Sequence, residues 1–218
     1  MITPNGKARH PFPALGREFR RLSGELQTAY ANTRSVLVAS AIGGEGATTI
    51  AVNLACAMAE NRERHILLVD ANCHDPALHL FFGLELAGGI RDWDGCGDLP
   101  YKPTPVAPNL LVLTAGMSPS STFGEVHPAT LQQLAQRVRD AFDFVVWDIP
   151  PLLRYSDGLA LASVVDGVLL VVEADHTKEE TLELVREQLM RVEAKLLGAI
   201  LNRSGRFLPR VLRSRYDN

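Results

Sequence analysis

The chain is short of cysteine and of long apolar runs, and each shortage excludes something. Three cysteines in 218 residues, Cys56, Cys73 and Cys96, are odd in number and widely spaced. That fits a reducing compartment and no disulfide framework. No stretch approaches the roughly 18 consecutive apolar residues of a membrane-spanning helix, so a soluble or peripheral protein is expected. The opening MITPNGKARHPFPALG has no apolar segment of the kind a secretory signal carries. A formal charge of −3 argues against a nucleic-acid coat, and no nucleic acid is expected as a partner. What is present is ordinary: 46% hydrophobic and 22% charged residues suit a chain that buries a core. Basic residues gather at the two ends, Lys7, Arg9, Arg17, Arg20 and Arg21 at the start, then Arg203, Arg206, Arg210, Arg213 and Arg215.

Residues 1–16 carry Pro and Gly without a sustained period and read as a flexible arm, and 204–218 as a basic tail. Between them, 17–203 read as one domain. Phe19, Leu22, Leu26 and Tyr30 recur at helical spacing within 18–31, predicting an amphipathic helix. The chain then alternates. Short apolar runs at 35–39, 66–69, 110–113, 144–147, 168–172 and 197–201 predict buried strands. Segments 48–60, 128–141, 156–163 and 178–193 predict helices. Such alternation predicts an α/β fold with a mostly parallel, doubly wound sheet of the P-loop NTPase kind. Residues 84–109 lapse into Gly, Pro and Asp and read as a surface excursion.

Three features converge where such sheets bind ligands, beyond the carboxyl ends of the strands. SAIGGEGATT runs from a strand into a helix, and a glycine-rich turn there makes a nest of N–H groups suited to phosphate. Asp70 and Asp148 each end an apolar strand, where carboxylates can hold a hydrated Mg²⁺ beside a nucleotide. Thr48 stands where a hydroxyl would reach that ion. The pattern G-x-x-x-x-G-K-[ST] would place a glycine at 41 and a lysine at 47, and this chain has Ala41 and Ala47. Other residues have plainer readings. His74, His79 and Cys73 fit no zinc spacing, Cys56 and Trp147 read as core, and Asp157 as a helix cap.

The series EFRR, SAIGGEGATT with NLA, ILLVDANCHDP, FDFVVWDIPP with SDG, and GAILNR resembles the cytoplasmic kinase domain of bacterial tyrosine kinases, which govern capsule and exopolysaccharide synthesis. The likeness runs from about Glu18 to Asn202. The boxes LLVDAN and VVWDIPP are shared with the Walker-type partition ATPases (MinD and ParA relatives), whose signature lysine would stand at Ile42. Carried over, the resemblance implies ATP or ADP with Mg²⁺, bound by Gly43, Gly44, Glu45, Gly46, Ala47, Thr48, Thr49 and Asn202. It implies a metal at Thr48, Asp70 and Asp148, with Asp70 and Asp148 as the catalytic carboxylates.

The departures are in separate places. The family's D-x-D-x-R becomes Asp70, Asn72 and His74. Its E-x-x-R-x-x-R, a ring-assembly motif, is met by Glu18 and Arg21 and fails at Gly24. Its tyrosine-rich tail is reduced to Tyr216, the one candidate phosphoacceptor there, with Tyr30, Tyr101 and Tyr155 scattered. The expectation is a catalytically impaired, regulatory member. It would sit in the cytoplasm at the inner membrane, with a membrane polysaccharide co-polymerase or transmembrane adaptor as partner and homo-oligomers possible. The alternatives are an active ATP-Mg tyrosine autokinase and a ParA/MinD-type ATPase.

Overall fold

The computed structural model describes residues 16–117 and 126–204. Most of the arm, together with Tyr216 and the basic residues from Arg206 onward, lies outside them. Helix α1 (Gly16–Thr28) leads into β1 (Ser35–Ser40), α2 (Ala47–Met58), β2 (Ile66–Asp70) and the short α3 (Leu78–Phe82). After a 3₁₀ turn at Ile90–Asp92 come β3 (Lys102–Pro103), β4 (Leu110–Leu113), α4 (Pro128–Ala141) and β5 (Phe144–Asp148). The chain closes with α5 (Asp157–Ala162), β6 (Gly167–Glu173), α6 (Glu179–Arg191) and β7 (Leu196–Asn202).

The seven strands lie in the order β3-β4-β2-β5-β1-β6-β7. All neighbours are parallel except β3 on β4. The α/β, mostly parallel expectation therefore holds. Because strand side chains alternate, the sheet splits one apolar sequence between two cores. Val36 and Val38 pack with α1, α2 and α3, whereas Leu37 and Ala39 pack with α4, α5 and α6. Trp147 is fully buried, and its indole N–H donates to Ser35 Oγ at 2.9 Å, which satisfies the one polar atom it brings inside.

The first strand occupies the middle of the sheet, with β5 on one side and β6 on the other. Successive crossovers thus leave β1 in opposite directions, and a crevice opens beyond its carboxyl end. That crevice receives the glycine-rich turn.

Two expectations change. The strand 110–113 and the helix 128–141 agree with the structure to the residue, but α3 and β3 were not foreseen. Segment 84–109 is more than a surface excursion: Ile90 and Leu99 are buried in the core under α4. Lys102 Nζ also donates to the carbonyls of Glu85 and Ala87 and to Thr114 Oγ1, pinning the segment to the sheet edge.

Candidate nucleotide site

The turn between β1 and α2 is built on two glycines in the left-handed region, Gly44 at φ +92° and Gly46 at φ +94°. Side chains rarely adopt that conformation. At Gly46 a Cβ would also collide with the Asn202 amide. Gly46 caps α2 with no side-chain hydrogen bond, and the first turn carries no acid. The leading N–H groups of α2 are therefore left open at the positive end of the helix, which suits an anion.

Glu45 holds this shape from behind. It is fully buried, its Oε2 accepts the Ile42 N–H at 2.9 Å, and its Oε1 accepts the Thr177 hydroxyl. Its own carbonyl accepts Asn202 Nδ2 at 2.8 Å, and Thr177 Oγ1 accepts the Glu173 N–H at 3.2 Å. Two residues expected to touch nucleotide, Glu45 and Asn202, thus have side chains engaged in bracing the loop onto β6 and β7. The other expected residues, Gly43, Gly44, Gly46, Ala47, Thr48 and Thr49, line a cleft of about 250 Å³. Ala47 is the first residue of α2 and 8% exposed, so no charge stands at that position.

Beneath the loop lie two carboxylates. Asp70 and Asp148 end β2 and β5 and face each other in register across the parallel pair. Both are fully buried. Asp70 Oδ2 accepts the N–H groups of Ala77 and Leu78 at 3.1 and 3.0 Å. Asp70 Oδ1 and both Asp148 oxygens have no partner. Burial pushes Asp70 up to about 7, against the pull of those N–H groups. Burial first, and the neighbouring Asp70 charge second, hold Asp148 well above the usual carboxylate range. The nearby Thr48 hydroxyl works in the opposite direction, although it does not reach hydrogen-bond geometry. Buried carboxylate oxygens left unpaired are costly. Three such oxygens beside a hydroxyl, under an anion cradle, fit a hydrated Mg²⁺.

A further wall comes from the segment after β5, and sequence reasoning missed it. Arg154 and Tyr155 line the cleft. His74 stacks on Tyr155 with ring centroids 3.7 Å apart at 15°, and His74 Nε2 meets Asp157 Oδ2 at 2.9 Å. Asp157 is therefore not a helix cap. Ser156 holds the cap position, without a side-chain bond, and the Asp157 carboxylate is turned to His74. Partners 83 residues apart leave no local signal that could have announced them. Asn72, which replaces the family's second acid, lines the cleft too, and its Oδ1 accepts the Asp75 N–H at 3.2 Å.

A parallel sheet whose central strand feeds a glycine turn and an open helix N-terminus, above two buried strand-end carboxylates, is that of a P-loop nucleotide-binding protein. The profile of the CobQ/CobB/MinD/ParA nucleotide binding domain matches residues 36–216. The chain belongs to that family and, within it, to the bacterial tyrosine kinases. It is 32% identical over 177 residues to the tyrosine-protein kinase YwqD of Bacillus subtilis (strain 168), a match spanning 78% of this chain and 72% of the relative. It is 28% identical over 207 residues to the succinoglycan biosynthesis transport protein ExoP of Rhizobium meliloti (strain 1021), covering 89% of this chain and 25% of that protein. Among solved structures, the VpsO kinase domain superposes with a TM-score of 0.74 at 27% identity, over 87% of this chain and 96% of that one. The fold is also that of the septum site-determining protein MinD from Pyrococcus horikoshii OT3, solved with Mg-ADP. There the TM-score is 0.69 at 24% identity, over 84% of this chain and 76% of that one.

Proposed function

We propose that this chain is a cytoplasmic, nucleotide-binding subunit of an exopolysaccharide or capsule assembly system whose tyrosine phosphotransfer is impaired. The observation that carries the proposal is Ala47 at the head of α2, in a cradle that keeps Gly43, Gly44, Gly46 and Thr48. The open N–H groups, Thr48, Asp70 and Asp148 would hold ADP or ATP with Mg²⁺. Bound there, the ion would screen phosphate charge. Transfer, however, needs a positioned cation that spans the terminal phosphates, and alanine cannot supply one. Losing such a group costs on the order of 10²–10³ in rate. Asn72 brings no charge where the family has its second acid, and it cannot act as a base.

Purified protein with ATP and Mg²⁺ is expected to show tyrosine phosphorylation at background while still binding nucleotide. The retained pair Asp70 and Asp148 favours a second reading, an active autokinase. A phosphotyrosine signal that disappears in Asp70→Ala would establish that reading and remove the first.

The partner we propose is a membrane polysaccharide co-polymerase or transmembrane adaptor, met at the inner membrane, with homo-oligomers as a further arrangement. No helix among the described residues is long and apolar enough to cross a membrane, so contact would be peripheral. On α1, Arg20 already faces Glu60 at 2.8 Å and Arg21 faces Glu25 at 2.9 Å, and Arg203 faces Glu173 at 2.8 Å. We assign the electrostatic contact to the tail residues Arg206, Arg210, Arg213 and Arg215, with Arg17 on α1 as a further candidate. Each would contribute about 1 kcal/mol of attraction to an anionic surface. Serine at all four positions is expected to abolish salt-sensitive co-sedimentation with anionic vesicles. Unchanged sedimentation would move the contact elsewhere.

A further inference from the structure

We propose that Arg154 supplies, from the segment bordering the phosphate loop, the phosphate-binding cation that position 47 lacks, and that Tyr155 positions it. This rests on the nucleotide reading of the cleft and names the group that makes such binding tight. Among the residues lining that cleft, Arg154 is the sole cation, set against one exposed-side acid, Asp75. Without it, a polyphosphate would meet open N–H groups on one side, Asp75 at the rim, and the buried pair Asp70 and Asp148 beneath. A guanidinium can offer two parallel N–H donors to phosphate oxygens.

Arg154 is exposed, yet its place is fixed by its surroundings. The Leu152 N–H donates to the Ser40 carbonyl at 3.0 Å, and the Leu153 N–H to the Ala41 carbonyl at 3.2 Å. These bonds stitch its segment to the last residue of β1 and the first of the phosphate loop. The N–H groups of Arg154 and Tyr155 both turn back to the Pro151 carbonyl, at 3.1 and 3.2 Å. Pro151 itself lies 4.0 Å from the space a Gly43 side chain would fill. The guanidinium carbon sits 5.3 Å from the centroid of the Tyr155 ring, within cation–π reach. That ring is stacked on His74, and His74 is held by Asp157. No carboxylate among the described residues pairs with Arg154, so its donors are free to take a phosphate.

The geometry also separates binding from transfer. A lysine at 47 would rise from the loop itself, between phosphates that the N–H groups already hold. Arg154 reaches the same phosphates from the rim. It can neutralise charge in the bound nucleotide without standing in the lysine's place during transfer.

Calorimetric titration of the full chain with MgATP, MgADP and adenosine tests this. Arg154→Ala is expected to weaken MgATP about 10- to 100-fold, the loss of a charge-assisted pair of bonds, and to leave adenosine binding and the thermal melt unchanged. Ala47→Lys placed on Arg154→Ala is expected to restore MgATP affinity, since either cation can serve. Tyr155→Ala is expected to lose part of the same affinity, and Tyr155→Phe, which keeps the ring, to retain it. If Arg154→Ala binds MgATP as tightly as the parent, the assignment of Arg154 falls while the nucleotide reading stands. If the parent binds neither MgATP nor MgADP, both fall together.

Discussion

The phosphate loop and the floor beneath it are neighbours built on opposite principles. In the loop the buried side chain is answered: Glu45 takes the Ile42 N–H and the Thr177 hydroxyl, and Asn202 closes onto the Glu45 carbonyl. In the floor, three of the four oxygens of Asp70 and Asp148 are left open, and both acids are held away from their ordinary ionisation. The first region therefore contributes stability to the ligand-free chain, and the second withdraws it. A cradle needs a fixed shape before its ligand arrives, whereas a cation site needs charge with no partner inside the protein.

The strongest way to break this contrast is to neutralise the floor. Between the ordinary 3.8 and about 7, folded Asp70 keeps a proton that the unfolded chain releases. Raising the pH through that window therefore favours unfolding. Asp70→Asn and Asp148→Asn are each expected to stabilise the metal-free protein at pH 8. For Asp70 the shift corresponds to about 4 kcal/mol at most. The gain should shrink as the pH falls and vanish near pH 4, as read by urea melts in chelator. A flat pH profile, or destabilisation at pH 8, would show that the floor carries no such strain.

Gly46→Ala attacks the other region. It forces a Cβ into the left-handed region and onto the Asn202 amide. The expected loss is roughly 2–3 kcal/mol, from about 1–2 for the conformation and about 1 for the displaced hydrogen bond. The same melts would measure it, and a loss below 1 kcal/mol would mean that the loop relaxes freely.

The smallest effect belongs to Glu45→Gln. It keeps the volume and one acceptor but offers only one carbonyl oxygen to the two donors. A loss of about 1 kcal/mol is expected, recovered in part by pairing it with Thr177→Ala, which removes one of those donors. Strict additivity of the two losses would argue against the bond between them.

Much of this could be read from residues alone, and the rest has a physical reason for being hidden. The runs ILLV and FVVW are buried on both faces, so their hydrophobicity is continuous and their ends fall at Asp70 and Asp148. The glycine turn and the empty lysine position are visible because the motif is contiguous. By contrast, LHLFF at Leu78–Phe82 is too short to show a period, and the two residues of β3 carry no pattern at all. Glu45 looked like a loop residue facing ligand, since nothing near it announces Thr177, 132 positions away. Arg154 and Tyr155 were hidden in the same way, because His74, which stacks on Tyr155, is remote from it in sequence.

The two borders of the sheet have a consequence of their own. On one side the last strand is only two residues, and the second is Pro103, which has no N–H to offer a newcomer. On the other, β7 runs for seven residues, with Leu196 and Leu201 turned to solvent, and no described strand lies beyond it. Accretion of strands is thus closed at Pro103 and open at β7. Two copies joining through β7 would use up both open borders and present a proline at each outer end. Edge pairing through β7 would therefore be self-limiting at two copies, since each outer end of such a pair would carry Pro103.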